Sequence, residues 1–397
     1  MGAPTQKAAI IGVGETDYQT RIPEQTYAEL AQEAARKAIE DAHLSPGDIE
    51  AVVYSMAPTE FMGVTDADKW AIDAVFGRSK PFMRVHTGGA TGGSAAQAGY
   101  MHVASGLYET CLVVGADKVS ETPDAQFILN LIWDPFFERD FALNTITMAA
   151  LQTVRHMAKY GTTEKDMAHV VVSSWKNAQR NPRAHLKGVL TIDAVLESPY
   201  FAWPLKRYDC CPRSSGAAAV VIASERVVRQ KATRAAWISG VGGVANTVYM
   251  GDRMGGARDT DLCDWTELEL AAREAYRQAK ITDPVKELDV AEIYAPFSSN
   301  QLMGVAALGL SSHHQAGALT QEGFFDLGGE VPVNPSGGTL CANPIAVTAL
   351  VRVCDAALQV LGKAGGYQVP NVHAAVATGV GGSFQFQTCM VLTDEPR

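Results

Sequence analysis

The chain has 397 residues, 47% of them hydrophobic and 19% charged, which is a soluble globular composition with enough length for two or three domains or for a duplicated one. Its formal net charge of −10 argues against binding to nucleic acids or to an anionic membrane surface. We expect no signal peptide and no membrane span, because no apolar run has the required length, and Gln6 breaks the N-myristoylation pattern of Met1-Gly2.

The seven cysteines indicate a reduced, cytoplasmic protein. They form no CxxC pair and lie mostly in apolar stretches. Neither a zinc site nor a disulfide framework follows from such spacing, so we expect no bound metal.

The first half of the chain alternates strands and helices. A glycine-containing apolar strand spans residues 8–18, and residues 34–54 form an Ala-rich helix, a proline turn and a short strand ending in Tyr54. A Gly-Gly turn then opens a helix within residues 86–106, and residues 110–118 form a core strand.

The second half repeats this order, which indicates an internal duplication. A strand spans residues 235–249, and a helix, a turn and a strand span residues 271–294, ending in Tyr294. A Gly-Gly turn opening a helix (334–354) and a core strand (372–382) follow. Because the strands are apolar on both faces, the β-α-β-α-β halves predict an α/β fold of two sheets in α/β/α/β/α layers.

Residues 119–205 interrupt the repeat with aromatic and charged residues and further helical stretches. They predict a loop domain inserted into the first half. We therefore expect an N-terminal half made of residues 1–118 and 206–230, and a C-terminal half made of residues 231–397.

The glycine-rich first strand does not indicate a nucleotide site. Gly12-Val13-Gly14 follows a strand, but Asp17 stands where a dinucleotide fingerprint requires its third glycine. The sequence also contains no Walker loop, GxSxG elbow or HExxH motif. A turn with two glycines is the expected structure here.

Five stretches resemble, in family order, the thiolase superfamily, and most closely its sterol-carrier and lipid-transfer-protein branch. They are VHTGGATGGSAAQAGYMHVASG (85–106), YDCCPRSSGAAAVVIAS (208–224), VAEIYAPFSSNQL (290–302), VNPSGGTLCANPIAVTAL (333–350) and ATGVGGSFQFQ (377–387). The resemblance covers essentially the whole chain. It implies the thiolase fold and an enzyme that makes or breaks carbon–carbon bonds in CoA thioesters.

The positions that carry thiolase chemistry differ from the family pattern. Thiolases place a cysteine at the start of the first-half helix, where the helix dipole favours the thiolate. Gly89 holds that position in this chain. Tyr294 replaces the family's Asn or His at the end of the second-half strand, and Asn343 replaces the His of Gly-His-Pro.

This combination resembles the lipid-transfer-protein-type aldolases of steroid side-chain degradation. The shared features are the cysteine-free loop after His86, the turn at residues 209–211 and the tyrosine at position 294. Those aldolases use a second tyrosine beside the second Gly-Gly helix, where this chain has Pro344. The resemblance implies retro-aldol cleavage of a β-hydroxyacyl-CoA, and it does not fix the acyl group.

Retro-aldol cleavage needs a base for the β-hydroxyl group and donors for the thioester enolate. Tyr294 can act as that base or as the acid that protonates the enolate, although a tyrosine pKa near 10 must be lowered for the base. The amide of Asn343 at the helix start and the backbone N–H groups of Gly381, Gly382 and Gly89 are the expected oxyanion donors.

The alternatives to these roles remain open. His86 orients a tyrosine or a water, or is an ordinary structural histidine. A packed tyrosine at position 294 and a tight turn at the Gly381-Gly382 pair are the corresponding structural interpretations. We assign Cys210 and Cys211 to packing.

Two further functions compete with the aldolase. Cys341 lies two residues before Asn343, and as a relocated nucleophile it would make the protein an acyltransferase that cleaves a β-ketoacyl-CoA. Buried cysteines usually behave as small hydrophobic residues, which is the alternative for Cys341. The third hypothesis is a non-catalytic acyl-CoA or lipid-binding protein.

The ligands and partners follow from the resemblance. A CoA thioester is the expected substrate, and no separate cofactor is implied. A basic run in the loop domain is the candidate CoA-binding surface, with a solvated helix face as the alternative: Lys176, Arg180, Arg183 and Lys187. Thiolases form homodimers, and the aldolase-type relatives work with a small OB-fold/zinc-ribbon protein of the DUF35 type.

Overall fold

The alternation of strands and helices expected from the sequence is present in the computed structural model, which describes residues 6–255 and 260–397. The strands are β1 (Ala8–Glu15), β2 (Ala51–Ser55), β3 (Phe82–Val85), β4 (Thr110–Lys118), β5 (Tyr200–Ala202), β6 (Leu205–Lys206), β7 (Ser215–Ser224), β8 (Ala236–Ala245), β9 (Val290–Glu292), β10 (Ala374–Gly381) and β11 (Phe386–Thr393). The helices are α1 (Tyr27–Asp41), α2 (Thr91–Ala104), α3 (Ala125–Asn130), α4 (Thr145–Tyr160), α5 (Glu164–Ala178), α6 (Ile192–Leu196), α7 (Glu225–Lys231), α8 (Thr266–Ala279), α9 (Pro284–Glu287), α10 (Ser298–Ala307), α11 (Ala316–Gln321) and α12 (Thr348–Leu361). None of the helices in these ranges is both long and apolar enough to cross a membrane.

The two halves of the chain contribute to one continuous sheet with the strand order β3-β2-β4-β7-β1-β8-β11-β10-β9. The first five strands belong to the N-terminal half and the last four to the C-terminal half. The halves meet where β1 and β8 pair antiparallel at Ala9–Trp237 and Ile10–Ala236. The sequence predicts two separate sheets, but this short seam of two residue pairs joins them.

The five expected layers are present and pack through three large hydrophobic cores. Helices α2 and α12 lie between the two halves of the sheet and share one core with both. Helix α1 covers the outer face of the N-terminal half, while α8 and α10 cover the outer face of the C-terminal half. All fourteen residues of α12 are buried, as expected for a helix with neighbours on every side. The α/β/α/β/α layering is therefore confirmed.

The glycine pairs in β1 and β8 bring helices close to the sheet. A Cβ atom on Gly12 would lie 2.1 Å from the carbonyl oxygen of Ala38 in α1, and one on Gly240 would lie 2.0 Å from that of Ala275 in α8. Glycine is therefore required at equivalent positions of β1 and β8, which supports the internal duplication. It also explains Gly12 and Gly14 without a nucleotide.

The loop domain is inserted into the first half but packs on the second. Thr153 in α4 hydrogen-bonds to Ser299 in α10 at 2.8 Å, and Asn177 in α5 donates to the carbonyl of Asn334 at 3.2 Å. Its apolar residues belong to the same core as α8 and α10. The inserted domain therefore forms a wall over the end of β9.

The second Gly-Gly turn differs from the first. Helix α2 starts at Thr91, directly after the Gly88-Gly89 turn, whereas α12 starts only at Thr348, well after Gly338. The residues between are irregular, and all of them except Ile345 are buried. Pro344 disfavours helical backbone in the residue before it. The expectation that Asn343 lies at a helix start is therefore wrong, because Asn343 precedes α12.

Candidate active site

A cavity of about 340 Å³ opens where α2, the end of β9, the end of β10 and the loop domain meet. Most of its wall is apolar, with side chains from α3 and α4 opposite the predicted site. It brings together most of the residues that the sequence singles out, namely His86, Gly89, Tyr294, Asn343, Gly381 and Gly382.

Tyr294 lies two residues after the end of β9, and hydrogen bonds fix both its backbone and its hydroxyl group. Its backbone N–H donates to the hydroxyl of Thr378 at 3.0 Å. Its hydroxyl oxygen lies 3.1 Å from Oδ1 of Asn343 and 3.0 Å from the carbonyl oxygen of Ile345, and its single proton is shared between these two acceptors. Burial and the nearby Cys211 raise the pKa of Tyr294 well above its ordinary value. A neutral phenol follows, which favours the acid among the two roles expected for Tyr294.

Gly89 and Tyr294 share one space. A Cβ atom on Gly89 would lie 2.6 Å from the carbonyl oxygen of Val380 and 3.1 Å from the hydroxyl oxygen of Tyr294. The phenol therefore stands where a side chain at position 89 would project.

Asn343 is fixed by its neighbours on every side. Its Oδ1 accepts from the hydroxyl of Thr348 at 2.7 Å as well as from Tyr294, and its Nδ2 donates to the Sγ of Cys211 at 3.0 Å. Its backbone N–H donates to Ser214 at 3.0 Å. A thiol is a weak acceptor, so the amide N–H can readily exchange this hydrogen bond for one to a ligand oxygen.

Cys210 and Cys211 line the cavity, which corrects their assignment to packing alone. The N–H of Cys211 donates to the carbonyl of Pro296 at 2.9 Å, which ties this turn to the segment after Tyr294. Burial raises the pKa of the Cys211 thiol to about 12, so the thiol is neutral at physiological pH. Their position depends on a contact between distant parts of the chain, and no sequence pattern reveals it.

Cys341 does not line the cavity. It is fully buried in the core that the loop domain shares with the second half, and its carbonyl accepts from the N–H groups of His185 and Leu186. Burial raises the pKa of its thiol far above the ordinary value. The expectation of a nucleophile at this position is therefore wrong, because the irregular segment before α12 turns the thiol away from the cavity.

Asp117, at the end of β4, fixes the segment beneath Tyr294. Its buried carboxylate accepts from the N–H groups of Ala57 at 2.6 Å, Ala346 at 2.9 Å and Val347 at 3.1 Å. Burial raises the pKa of Asp117 to about 7, while these donors act in the opposite direction. Asp117 thus holds in place the carbonyl of Ile345, to which Tyr294 donates.

Gly381 and Gly382 permit close packing against the loop before α2. A Cβ atom on Gly381 would lie 2.1 Å from the carbonyl oxygen of Thr87, and Gly382 has a φ of +64°. Both glycines line the cavity, so their backbone faces the space next to Gly89.

His86 lines the cavity and is exposed. Its ring forms no hydrogen bond with any residue in the described part of the chain. Burial and the charge of Arg84 lower the pKa of His86. The neutral ring has a free acceptor nitrogen for a ligand.

The basic run of the loop domain lies outside the cavity wall. Lys176 and Arg180 are exposed, and the guanidinium of Arg183 donates to the hydroxyl of Tyr367 at 2.7 Å and pairs with Glu15 at 3.3 Å. The assignment of Arg183 to CoA binding is therefore wrong, because its guanidinium is paired with the buried carboxylate of Glu15. Arg213, which sequence reasoning missed, does line the cavity.

Two thiolase models match consecutive parts of the chain. The model described as "Thiolase, N-terminal domain" matches residues 8–226, which is more than half of the chain. The model described as "Thiolase C-terminal domain-like" matches residues 252–394.

The relatives include enzymes of two reaction types. Acetyl-CoA acetyltransferase of Methanothermobacter thermautotrophicus is 29% identical over 94% of this chain and 96% of its own length. The 17-hydroxy-3-oxo-4-pregnene-20-carboxyl-CoA lyase of Mycobacterium tuberculosis is 27% identical over 84% of this chain and 86% of its own length.

A solved structure titled "Ltp2-ChsH2(DUF35) aldolase" superposes with a TM-score of 0.82 at 24% identity, covering 98% of both chains. This likeness, together with the two domain matches, confirms the thiolase fold and the resemblance stated from the sequence. The protein is a member of the thiolase superfamily.

Proposed function

We propose that the protein cleaves a β-hydroxyacyl-CoA by a retro-aldol reaction. The observation that carries the proposal is the phenol of Tyr294 in the space of a side chain at position 89. Gly89 carries no nucleophile, and the space next to it holds a proton donor instead. The lyase relative and the aldolase-like fold support the same reaction class.

The proposed reaction uses His86 as the base. The neutral imidazole takes the proton of the β-hydroxyl group, the Cα–Cβ bond breaks, and its electron pair moves into the thioester enolate. The products are a carbonyl compound and a shortened acyl-CoA. A neutral ring is required at the start, which the lowered pKa of His86 provides.

The proposed acid is Tyr294, and the proposed oxyanion donors are the Nδ2 of Asn343 and the backbone N–H groups near Gly89 and Gly382. These donors hold the enolate oxygen while Tyr294 protonates the α-carbon. Solvent carries the proton from His86 back to the phenolate. The raised pKa of Tyr294 makes its ionised form a strong base, so reprotonation completes the cycle.

Cleavage assays with β-hydroxyacyl-CoA substrates, run with and without free CoA, test this reaction. We expect cleavage without CoA, and a fall of about 10²-fold to 10⁴-fold in kcat for Tyr294→Phe, which is the usual loss for a general acid. Tyr108→Phe, remote from the cavity, is the matched control. Cleavage that requires CoA would contradict the proposal, because thiolysis consumes CoA.

An acyltransferase is the second candidate, favoured by the acetyltransferase relative and by a thiol in the cavity wall. Its nucleophile would be Cys211, whose Sγ lies 3.0 Å from the Nδ2 of Asn343. Incubation with acyl-CoA donors followed by intact mass spectrometry tests it. An adduct that disappears in Cys211→Ala would support acyl transfer. Tight acyl-CoA binding without turnover of either substrate type would support a binding protein.

We also propose a small partner with a DUF35 domain. The aldolase of similar fold is titled as an assembly with such a domain. The loop domain exposes aromatic side chains, with Phe136 84%, Phe137 68% and Phe141 66% accessible, and such patches mark interaction sites. Size-exclusion chromatography with a DUF35-domain protein from the same genome tests this. Co-elution weakened by Phe136→Ser would support it, and no co-elution would contradict it.

A homodimer is proposed on separate grounds. Strand β3 lies at the edge of the sheet with its side chains partly accessible, so its free edge is open to pairing with a second copy. Sedimentation velocity measures the mass directly. A monomer across the micromolar range would contradict the dimer.

A further inference from the structure

The cavity wall contains one charged side chain. Of the cavity-lining residues in the ranges 6–255 and 260–397, Arg213 alone carries a full charge, and none is acidic. The facing wall is apolar, with Ile128, Leu129 and Ile132 from α3 and the segment after it. A single cation at the edge of an apolar cavity is the arrangement that selects a ligand with one anionic group.

Arg213 has no partner within the described part of the protein. Its guanidinium forms no ion pair and no hydrogen bond there, whereas the guanidinium of Arg352 binds two carboxylates and that of Arg155 binds Asp261. The planar guanidinium matches a carboxylate with two parallel hydrogen bonds. An unpaired guanidinium at a cavity thus has its full binding capacity available.

The backbone around Arg213 is fixed against the proposed catalytic residues. The next residue, Ser214, donates its N–H to the carbonyl of Asn343 at 3.0 Å and accepts from the N–H of Asn343 at 3.0 Å. The carbonyl of Arg213 accepts from the hydroxyl of Ser120 at 2.9 Å. Arg213 also lies two residues from Cys211, and its charge acts on that thiol. Arg213 is exposed and lines the cavity. Its cation therefore stands at the solvent-facing edge of the cavity, on backbone that is fixed beside Asn343.

The position of Arg213 distinguishes between two anions that it could bind, namely the phosphates of CoA and a carboxylate on the acyl group. The pantetheine arm of CoA has about the backbone length of four residues, so when extended it places the phosphates roughly 14 Å from the thioester sulfur. A carboxylate on the acyl group can lie within a few bonds of the thioester. A cation beside Cys211 and Asn343 fits the second anion better.

We propose that Arg213 is a specificity-determining residue that binds a carboxylate on the acyl group, so that the preferred substrates are β-hydroxyacyl-CoA thioesters with a second, free carboxyl group. The apolar wall around Ile128 and Leu129 contacts the hydrocarbon part of the same acyl chain. This substrate class rests on the proposed retro-aldol function, but the binding step can be measured without it.

The test compares acyl-CoA pairs of equal length that end in a methyl group or in a carboxylate. Binding is measured by isothermal titration calorimetry with saturated acyl-CoA, which cannot be cleaved by a retro-aldol reaction. We expect Arg213→Gln to reduce the preference for the carboxylate by about 10-fold to 100-fold, the range for a hydrogen bond to a charged group. Arg213→Lys should retain part of the preference, because it keeps the charge and loses the two-pronged geometry. Arg229→Gln, an exposed arginine on α7, controls for the loss of one positive charge.

Three results would overturn the proposal. One is an equal affinity of the unaltered protein for both members of a pair, and another is a preference that survives Arg213→Gln. The third is an Arg213→Gln effect that disappears when pantetheine thioesters replace CoA thioesters, since it would assign Arg213 to the phosphates. Because binding is read without turnover, failure of retro-aldol cleavage in the separate assay leaves this result interpretable.

Discussion

The hydroxyl of Tyr294 lies 3.1 Å from the point where a Cβ atom on Gly89 would stand. The loop before α2 and the end of β9 belong to different halves of the duplicated chain, yet they meet at this point. A side chain at position 89 would press on the phenol at 3.1 Å and would overlap the carbonyl oxygen of Val380 at 2.6 Å. The glycine at position 89 and the tyrosine at position 294 therefore fit each other across the two halves.

We expect Gly89→Ala to destabilise the protein by about 1–3 kcal/mol, the usual cost of overpacking, and to reduce activity at least about 10-fold. The added methyl group meets the backbone carbonyl of Val380 at 2.6 Å, and that carbonyl has little freedom to move. Thermal unfolding and steady-state assays measure the two effects. Gly47→Ala is the control, because the nearest atom to its new Cβ is 3.6 Å away. An unchanged Tm for Gly89→Ala would refute the close packing of position 89 against Val380.

The sequence predicts the scaffold better than the site. The duplication and the alternating strands indicate the layers correctly, because apolar periodicity and glycine positions act locally. The roles of Cys211, Asp117 and Arg213 depend on where distant segments meet, and no local pattern contains that information. Arg183 shows the same limit, since its pairing with Glu15 across the fold is invisible in the basic run.

The resemblance identified Gly89, Tyr294 and Asn343, and the structure places all three at one cavity. It misplaced Asn343 on a helix, because the Gly-Gly repeat suggested the same helix start in both halves. The carboxylate of Asp117 binds the N–H groups of Ala346 and Val347 instead, and α12 begins after them. Pro344, which disfavours helical backbone at Asn343, and the hydrogen bonds to Asp117 just before the helix together place its start after Asn343.

The value of kcat/KM for cleavage should fall at acid pH, and Tyr294 should cause no fall at alkaline pH. His86 must be neutral to act as the proposed base, and its pKa is lowered from 6.5, so activity should fall only at a pH below that value. The raised pKa of Tyr294 keeps the phenol protonated across the alkaline range. A profile of kcat/KM against pH measures this. His86→Gln should remove the acid limb, and a limb that remains would argue against His86 as the base.

The buried pair of Arg352 and Glu292 should be essential for stability. The two side chains are 2% and 0% exposed, and their N–O distance is 2.6 Å. We expect Arg352→Met to cost about 3–5 kcal/mol in the free energy of unfolding, because it leaves buried carboxylates without a counter-charge. Chemical denaturation measures the loss. The exposed pair of Arg273 and Glu269 provides the control, with less than about 1 kcal/mol expected for Arg273→Met.

His156 should make the protein sensitive to acid. It is fully buried, with Nδ1 2.7 Å from the hydroxyl of Thr162 and Nε2 3.1 Å from Nδ1 of His313. Burial and His313 lower its pKa to about 3, while Asp264 and Asp261 act to raise it and Lys159 acts to lower it. An unfolded histidine binds its proton near pH 6.5. The stabilisation is therefore complete above that pH and is lost as the pH falls from about 6.5 toward 3.

The expected slope is up to about 1.4 kcal/mol per pH unit for the one proton that the unfolded chain binds and the folded protein excludes. Urea denaturation at pH values between 7 and 5 measures the slope, and the same series on His156→Gln isolates the contribution of this residue. The glutamine retains a polar side chain next to Thr162 but cannot titrate. His43→Gln, an exposed position, serves as the control. Equal slopes for the unaltered protein and His156→Gln would mean that other groups cause the acid sensitivity.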